Sequence, residues 1–432
     1  MIRNLGQSID KIDQELTKVL SNANIAYSKK DYTKAILYYE KALILNPNLP
    51  QAYLKIGNIC LELSALNDAL FYYEKVLQLE KNNFIAYCNI GTVFQKNNQL
   101  EEAKEYYLKS IKINPNYVHA HYNLSYILLM QKNYLEGFNK YRYRYHKEIM
   151  GSRQGGVAYP PTLLTPEDNF QDKVLYISHE QGLGDTIEFI RFLPFFTKKA
   201  KQIICYVPPS LVKLFQFNYP SVDFIPPNSN ISFDFNFPLL EAPYVLKITY
   251  ETLPFQDKYL SVKKEDLFSF QKKHSLDSSK IKIGINYKGS QGKDAVKNRS
   301  LDLELLLQYL SKLPQNYSIF SLQYERTNQE DKLLEAYQIQ NLGQYIENFY
   351  DTALMIEGMD IIISIDTSFL HLAGALGKKT FALLKFDPDW RWGLDENHIN
   401  WYSNMTLLRQ ASANDWDSVL TPLVSKLKVE NM

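Results

Sequence analysis

Between residues 16 and 150, apolar positions recur at helical spacing, and the pattern itself repeats every 34 residues. Ala35, Ala69, Ala103 and Gly137 keep one register, and Tyr39, Tyr73, Tyr107 and Tyr141 keep a second. Gly57, Gly91 and Ser125 keep a third, with Pro47 and Pro115 two periods apart. A small side chain lets two helices cross closely, an aromatic fills the gap beside it, and a proline stops the second helix. The expectation is an α-solenoid over residues 1–150, with repeats at about 16–49, 50–83, 84–117 and 118–150. The next stretch, GSRQGGVAYPPTLLTPEDNFQD (151–172), has Gly and Pro but no period and reads as a linker.

From residue 173 the periodicity changes. Short apolar runs alternate with helical stretches: KVLYIS (173–178), QIICYV (202–207), VDFI (222–225) and FDFNFP (233–238), with helices near 185–196 and 209–216. A second series begins at KIGINYKG (282–289) and continues through YSIFSLQ (317–323), DIIISID (360–366) and KTFALLK (379–385). Its helices fall near 301–310, 350–359, 367–377 and 414–428. Apolar strands without alternation belong to parallel sheets covered on both faces. Two Rossmann-like α/β domains are expected, at 173–270 and 271–432, facing a cleft. Ligands of such sheets bind outside the carboxyl ends of the strands.

The 34-residue unit resembles the tetratricopeptide repeat in length and residue order. Such solenoids present a concave groove to proteins or peptides. Asn24, Asn58, Asn89 and Asn123 fall on first helices, where an amide can hold an extended peptide by its backbone or simply face solvent. The run YRYRYHK (141–147) reads as the close of the last repeat helix against the next domain rather than as a nucleic-acid patch. A net charge of +1 gives nucleic acid or an anionic membrane no electrostatic hold on the chain. The start MIRNLGQSIDKIDQEL lacks an apolar core for a secretion signal, and no apolar run is long enough to span a bilayer. Cys60, Cys88 and Cys205 lack metal-site spacing and read as buried thiols. A cytoplasmic location is expected.

Two strand ends carry the candidate chemistry. The first is HEQGLGDTIEF (179–189), where Gly182 and Gly184 would allow positive φ and close approach of a ligand. Asp185 then either caps the following helix or takes a proton from an attacking hydroxyl. The second is DIIISID followed by TSFLHLAGALGKKT, where Asp366 ends a strand and Thr367 and Ser368 open a helix whose N–H groups suit a diphosphate. His371 lies one turn further along. Between them, INYKGSQGKDAVKNRSLDL (285–303) brings Lys288, Lys293, Lys297 and Arg299 toward the same end. Those cations read either as counter-charge for a leaving diphosphate or as a solvated loop.

Strand–xxGxGD–helix followed by strand–DTSFLHLAGALG–strand resembles the heptosyltransferase-like family of two-domain glycosyltransferases. HEQGLGDTIEF, KNRSLDL, FDPDWRWGLD (386–395) and WYSNMTLLRQ (401–410), behind the repeats, resemble its bacterial repeat-fused branch, some members of which are implicated in glycosylating flagellin. The resemblance implies a GT-B fold and a metal-independent transfer from an ADP-, UDP-, GDP- or CMP-linked sugar to a protein recruited by the repeats. It implies Asp185 as the base, with Gly182, Gly184, Asp366, Thr367, Ser368 and His371 around the donor. A lysine on the phosphates has no unique counterpart: Arg299 comes first and Lys288 second. His179, Gln181, Asp389, Trp390 and Arg391 are candidate donor or acceptor contacts, with Trp-Arg-Trp open to reading as a packed hinge. The alternatives are a heptose-type transferase acting on a glycan or lipopolysaccharide, and a repeat scaffold without activity.

Overall fold

The computed structural model describes residues 2–146, 149, 163–226, 231–276, 279–289, 299–394 and 399–429. Its contacts divide the chain into two units, residues 1–128 with 139–156, and residues 129–138 with 157–432.

Helices pair along the repeats: α1 (Ile2–Ser28) with α2 (Tyr32–Leu45), α3 (Pro50–Glu62) with α4 (Leu66–Leu79), and α5 (Phe84–Lys96) with α6 (Leu100–Ile113). Then come α7 (Val118–Met130) and α8 (Tyr134–Tyr141), which cross the division between the units. Ala35, Ala69, Ala103, Tyr73 and Tyr107 are wholly buried. The need for small residues is direct: a Cβ on Gly57 would stand 2.6 Å from the Tyr73 ring. Each first helix ends on a left-handed residue that is not glycine. Lys30, Ser64, Asn98 and Lys132 have φ of 57°, 62°, 58° and 66°, again 34 residues apart. The YRYRYH segment forms a 3₁₀ turn over Arg142–Tyr145, with the Arg144 guanidinium 4.5 Å from the Tyr141 ring centroid; Lys147 lies outside the described residues.

Two segments pack beyond the boundaries drawn from sequence. Residues 129–138, expected with the fourth repeat, make their contacts within the α/β unit. Tyr134 and Phe138 lie edge-on to Trp390, and Phe138 edge-on to Phe189. Residues 163–172, expected as linker, belong to that unit: Leu163 makes an isolated bridge to Asn236, and Leu164 is fully buried. Residues 151–162 of the expected linker lie outside the described residues.

The first sheet holds β1 (Val174–Ser178), β2 (Gln202–Tyr206), β3 (Asp223–Ile225) and β4 (Phe235–Pro238) in the order β3-β2-β1-β4. Around it lie α9 (Leu183–Phe189), α10 (Leu193–Thr197), α11 (Pro209–Asn218), α12 (Ala242–Val245) and α13 (Lys264–Lys273). The 270/271 boundary thus falls inside α13. The second sheet holds β5 (Ile281–Asn286), β6 (Tyr317–Ser321), β7 (Gln340–Asn341), β8 (Ile361–Ile365), β9 (Thr380–Leu384) and β10 (Met405–Arg409). Its order is β10-β9-β8-β5-β6-β7, with α14 (Leu303–Leu310), α15 (Asn328–Ala336), α16 (Phe349–Glu357), α17 (Ser368–Ala375) and α18 (Asp417–Val429). Every pairing between these strands is parallel, with Leu175 opposite Ile203 and Ile285 opposite Ile363. All residues of β8 and β9 are buried, as two covered faces require. In both sheets the order reverses beside the first strand, at β1/β4 and at β5/β8, which is where open α/β sheets leave a crevice. Among the described residues, no helix is long and apolar enough to cross a membrane.

Candidate functional site

The two switch points are occupied by the two sequence motifs. After β1, the chain turns through Gln181 and enters α9 with Gly182 as its N-cap. The positive φ expected at the glycines falls on Gln181 (63°), whereas Gly182 is extended (φ −86°). Asp185 Oδ2 accepts the Gly182 N–H at 2.9 Å, so Asp185 does cap its own helix. His179 Nδ1 meets Thr186 Oγ1 at 2.6 Å, and burial lowers the imidazole's pKa against the pull of Asp185.

What comes close to this turn is protein. A Cβ on Gly184 would lie 2.8 Å from His371 Cδ2 and 3.3 Å from Ser368 Cα. The start of α9 therefore rests on the start of α17. Glycine is required there because a side chain would push the helices apart.

At the second switch point Thr367 is the N-cap of α17, but its side chain does not cap: Oγ1 donates to Asn286 Oδ1 at 3.0 Å, at the end of β5. Asp366 is pushed up to about 6 by burial and by the Asp389 carboxylate, against Trp392, Arg391 and Arg299. His371 is buried, with Nδ1 3.0 Å from the Tyr402 hydroxyl, Nε2 3.9 Å from Asp366 Oδ1 and its ring stacked on Trp392. Burial holds it well below the usual histidine range, reinforced by Arg391, Arg191 and Arg299, so the imidazole is neutral.

Arg391 ties the first motif to the turn after β9. It lies in the 3₁₀ turn Trp390–Trp392, whose N-cap is Asp389, and is almost fully buried. One arm meets Asp185 Oδ1 at 2.5 Å, another meets Asp389 Oδ1 at 2.7 Å, and Nε pairs with Glu188 Oε2. Glu188 has no exposed surface, and its other oxygen has no hydrogen-bond partner. Burial pushes Glu188 up to about 7, with Arg391 and Arg191 pulling the other way. Asp185 and Glu188 stand three residues apart on one face of α9, so a single guanidinium reaches both. Trp390 and Trp392 are packed, with the Arg391 guanidinium 4.4 Å from the Trp390 ring centroid. Asp395, the end of FDPDWRWGLD, lies outside the described residues.

The basic residues separate. Lys288 Nζ bonds both oxygens of Glu330, at 2.9 and 2.7 Å, and is turned to that partner. Arg299 lies over Gly289, its Nε buried without a hydrogen-bond partner, and close enough to Asp366 to pull on its proton. Lys293 and Lys297 lie outside the described residues.

In the repeats, the asparagines bond to their own scaffold. Asn24 Oδ1 accepts the Tyr39 hydroxyl at 2.7 Å. Asn58 Oδ1 accepts from Tyr73 and from Asn89 Nδ2, both at 2.9 Å. Asn123 Nδ2 donates to Thr92 Oγ1 at 3.3 Å. Part of each amide is thereby committed, while Asn24 stays exposed and the other three half-buried.

Three residues of this site were not among the sequence candidates. Arg191 is fully buried, donating to Glu188 O and Trp401 O at 2.8 Å and to the Tyr259 hydroxyl at 3.1 Å. Glu188 and Tyr402 complete the set. Glu188 and Tyr402 stood inside quoted motifs without a role, and a further hint was charge at core positions of an otherwise apolar stretch, Glu188 and Arg191 in TIEFIRFL.

Models of the tetratricopeptide repeat match residues 23–64, 50–83, 84–117 and 106–137. The first third of the chain therefore carries tetratricopeptide repeats. Among solved structures, the Arabidopsis OM64 TPR domain is 23% identical, spanning 26% of this chain and 94% of its own, with a TM-score of 0.25. The MamA protein is 22% identical over 32% of this chain and 74% of its own, at 0.28. YrrB, a TPR protein with an unusual peptide-binding site, is 22% identical over 34% and 75%, at 0.28. Comparison with curated protein sequences gives no match.

Proposed function

We propose that this chain is a glycosyltransferase, moving a sugar from a nucleotide-sugar donor to a hydroxyl of a protein acceptor that the repeats recruit. The observation that carries the reading is the meeting of α9 and α17 at the switch points of two parallel sheets, with Asp185, Asp366, His371 and Arg391 around the seam. On this reading the sheets pair as a GT-B enzyme, and the donor lies toward the second sheet. Asp366 accepts from sugar hydroxyls. Arg299 and the start of α17, where Thr367 leaves the N–H groups without a side-chain cap, face the diphosphate. Tetratricopeptide repeats commonly bind peptides or proteins, and the exposed Asn24, which spends its Oδ1 on Tyr39, offers its amide N–H groups to an extended acceptor.

Asp185 is the base on this reading. A carboxylate has about four acceptor positions. The helix cap and Arg391 take one on each oxygen, leaving room for an acceptor hydroxyl. In the transfer, the acceptor oxygen bonds to the anomeric carbon, the bond from that carbon to phosphate oxygen breaks, and the electron pair leaves with the nucleoside diphosphate. The proton goes to Asp185.

A scaffold without activity is the second reading, favoured by the contact of Gly184 with Ser368 where phosphates would sit. Intact-mass analysis of candidate acceptor proteins incubated with UDP-, ADP-, GDP- and CMP-sugars tests the first. Mass added by the parent chain and lost with Asp185→Asn supports transfer. No mass added, and no nucleotide bound by calorimetry, leaves the scaffold.

A further inference from the structure

Arg391 contacts carboxylates from both sheets' helices and turns: Asp185 and Glu188 come from α9, after β1, while Arg391 and Asp389 come from the turn after β9. Resting on the transferase reading, we infer that Arg391 is a positioning residue, which aims the Asp185 carboxylate only while the two sheets' carboxyl ends are held together.

Asp185 is fixed at both oxygens. Oδ2 is tied to the Gly182 N–H of its own helix, and Oδ1 to a guanidinium that belongs to the other sheet. The cap alone leaves the carboxylate free to swing about its side-chain torsions, and the second tie removes that freedom. Arg391 itself is not free to follow α9, because Asp389 accepts both its backbone N–H at 3.1 Å and its side chain at 2.7 Å. Its guanidinium also lies over the Trp390 ring. Glu188 makes the arrangement decisive: a wholly buried carboxyl is costly without a cation, so α9 is held where Arg391 is. Arg191 braces the same helix from the other side, through the Trp401 carbonyl and Tyr259. Separation of the sheets' ends would release Asp185 from its aim and leave Glu188 with Arg191 alone. A transferase gains from this, since an open cleft that admits water then lacks an aimed base and spares the donor from hydrolysis.

A base and its positioning residue act as one unit, so their losses do not add. The readout is nucleotide release from UDP-, ADP-, GDP- and CMP-linked sugars, with water or protein as acceptor, for the full chain. Asp185→Asn should lower kcat by roughly 10²–10⁴-fold. Arg391→Met should lower it by roughly 10²-fold with donor KM within about threefold, as misplacement does. Arg391→Lys, which keeps one arm, should recover part. The double variant should be no slower than Asp185→Asn alone to within about threefold. If Arg391→Met does not fold, the same cycle is run on Glu188→Gln, which removes the stranded carboxyl. Multiplying losses, or a raised donor KM in Arg391→Met, would make Arg391 an independent donor contact and overturn the inference while the transferase stands. No nucleotide release from any donor by the parent chain overturns both.

Discussion

Gly184 presses on His371: no side chain fits between them, because a Cβ on the glycine would stand 2.8 Å from the imidazole Cδ2. The neighbouring Gly182 is different. Its φ of −86° suits any residue, and its Cβ would meet only the end of the Asp185 carboxylate, at 3.0 Å. Gly184→Ala should therefore cost about 1–3 kcal/mol by overpacking the seam. Gly182→Ala should cost less, about the loss of a preferred cap residue, near 1 kcal/mol. Urea denaturation of both variants checks the order. Equal costs would mean that α9 and α17 are not in contact in solution.

Trp401 donates its indole N–H to the Tyr134 hydroxyl at 2.8 Å, and Tyr134 is almost fully buried. The start of α8, which carries Tyr134, therefore belongs to the core of the α/β unit. Tyr134→Phe strands a buried donor and should cost about 1–3 kcal/mol. Tyr134→Ala removes the ring as well and should cost about 3–5 kcal/mol. A fragment starting at residue 150 should expose Trp390 and Trp401, and bind a hydrophobic dye, where one starting at residue 118 does not.

The repeats were readable because packing repeats: one rule about small and aromatic residues is written four times. The central strands of both sheets were readable because burial on two faces leaves unbroken apolar runs. What escaped was local or cooperative. The left-handed turn at Lys30, Ser64, Asn98 and Lys132 has no glycine to announce it. β10 hides in NMTLLRQ, where Thr406 and Arg409 are only half-buried and break the apolar run. At the site, the two motifs located the right strand ends, but the partners lie far along the chain, 42 positions for Lys288 and 206 for Asp185. That Lys288 belongs to Glu330 and Asp185 to Arg391 is a property of the folded pairings. The glycines of HEQGLGDTIEF advertised a close approach, while the identity of the approaching group, helix α17, lay in the tertiary structure.

Asp366 and Glu188 should give the acid side of the stability curve an unusual sign. Both carboxyls are raised by burial, Asp366 to about 6 and Glu188 to about 7, so the folded chain holds protons that the unfolded chain has lost. Stability contributed by such a group falls as pH rises from its unfolded pKa to its folded one, by about 1.4 kcal/mol for each pH unit between the two. His371, His179, His121 and His274, all lowered by burial, act in the opposite sense as pH falls below about 6.5. The clean measurement is the difference between Asp366→Asn and the parent at each pH. That difference should shift toward the variant between about pH 4 and pH 6 and level off above, by on the order of 3 kcal/mol. A difference independent of pH would show that Asp366 ionises in the fold as it does in water.

Among the described residues, Lys288 and Arg299 are the loop cations offered for the diphosphate, and their surroundings lead to opposite predictions. Lys288 is tied to both oxygens of Glu330, which also caps α15 through the Thr327 N–H. Lys288→Met should therefore cost stability, since it leaves a half-buried carboxylate without its cation. It should leave nucleotide affinity within about twofold. Arg299 has a buried Nε without a partner and sits beside Asp366. Arg299→Met should be nearly neutral for stability and should weaken binding of a nucleoside diphosphate by roughly 10-fold or more, the loss of about one charge-assisted hydrogen bond. Calorimetric titration with UDP, ADP and GDP, paired with thermal unfolding of each variant, separates the two. If Lys288→Met loses the nucleotide instead, Glu330 must release its lysine on binding.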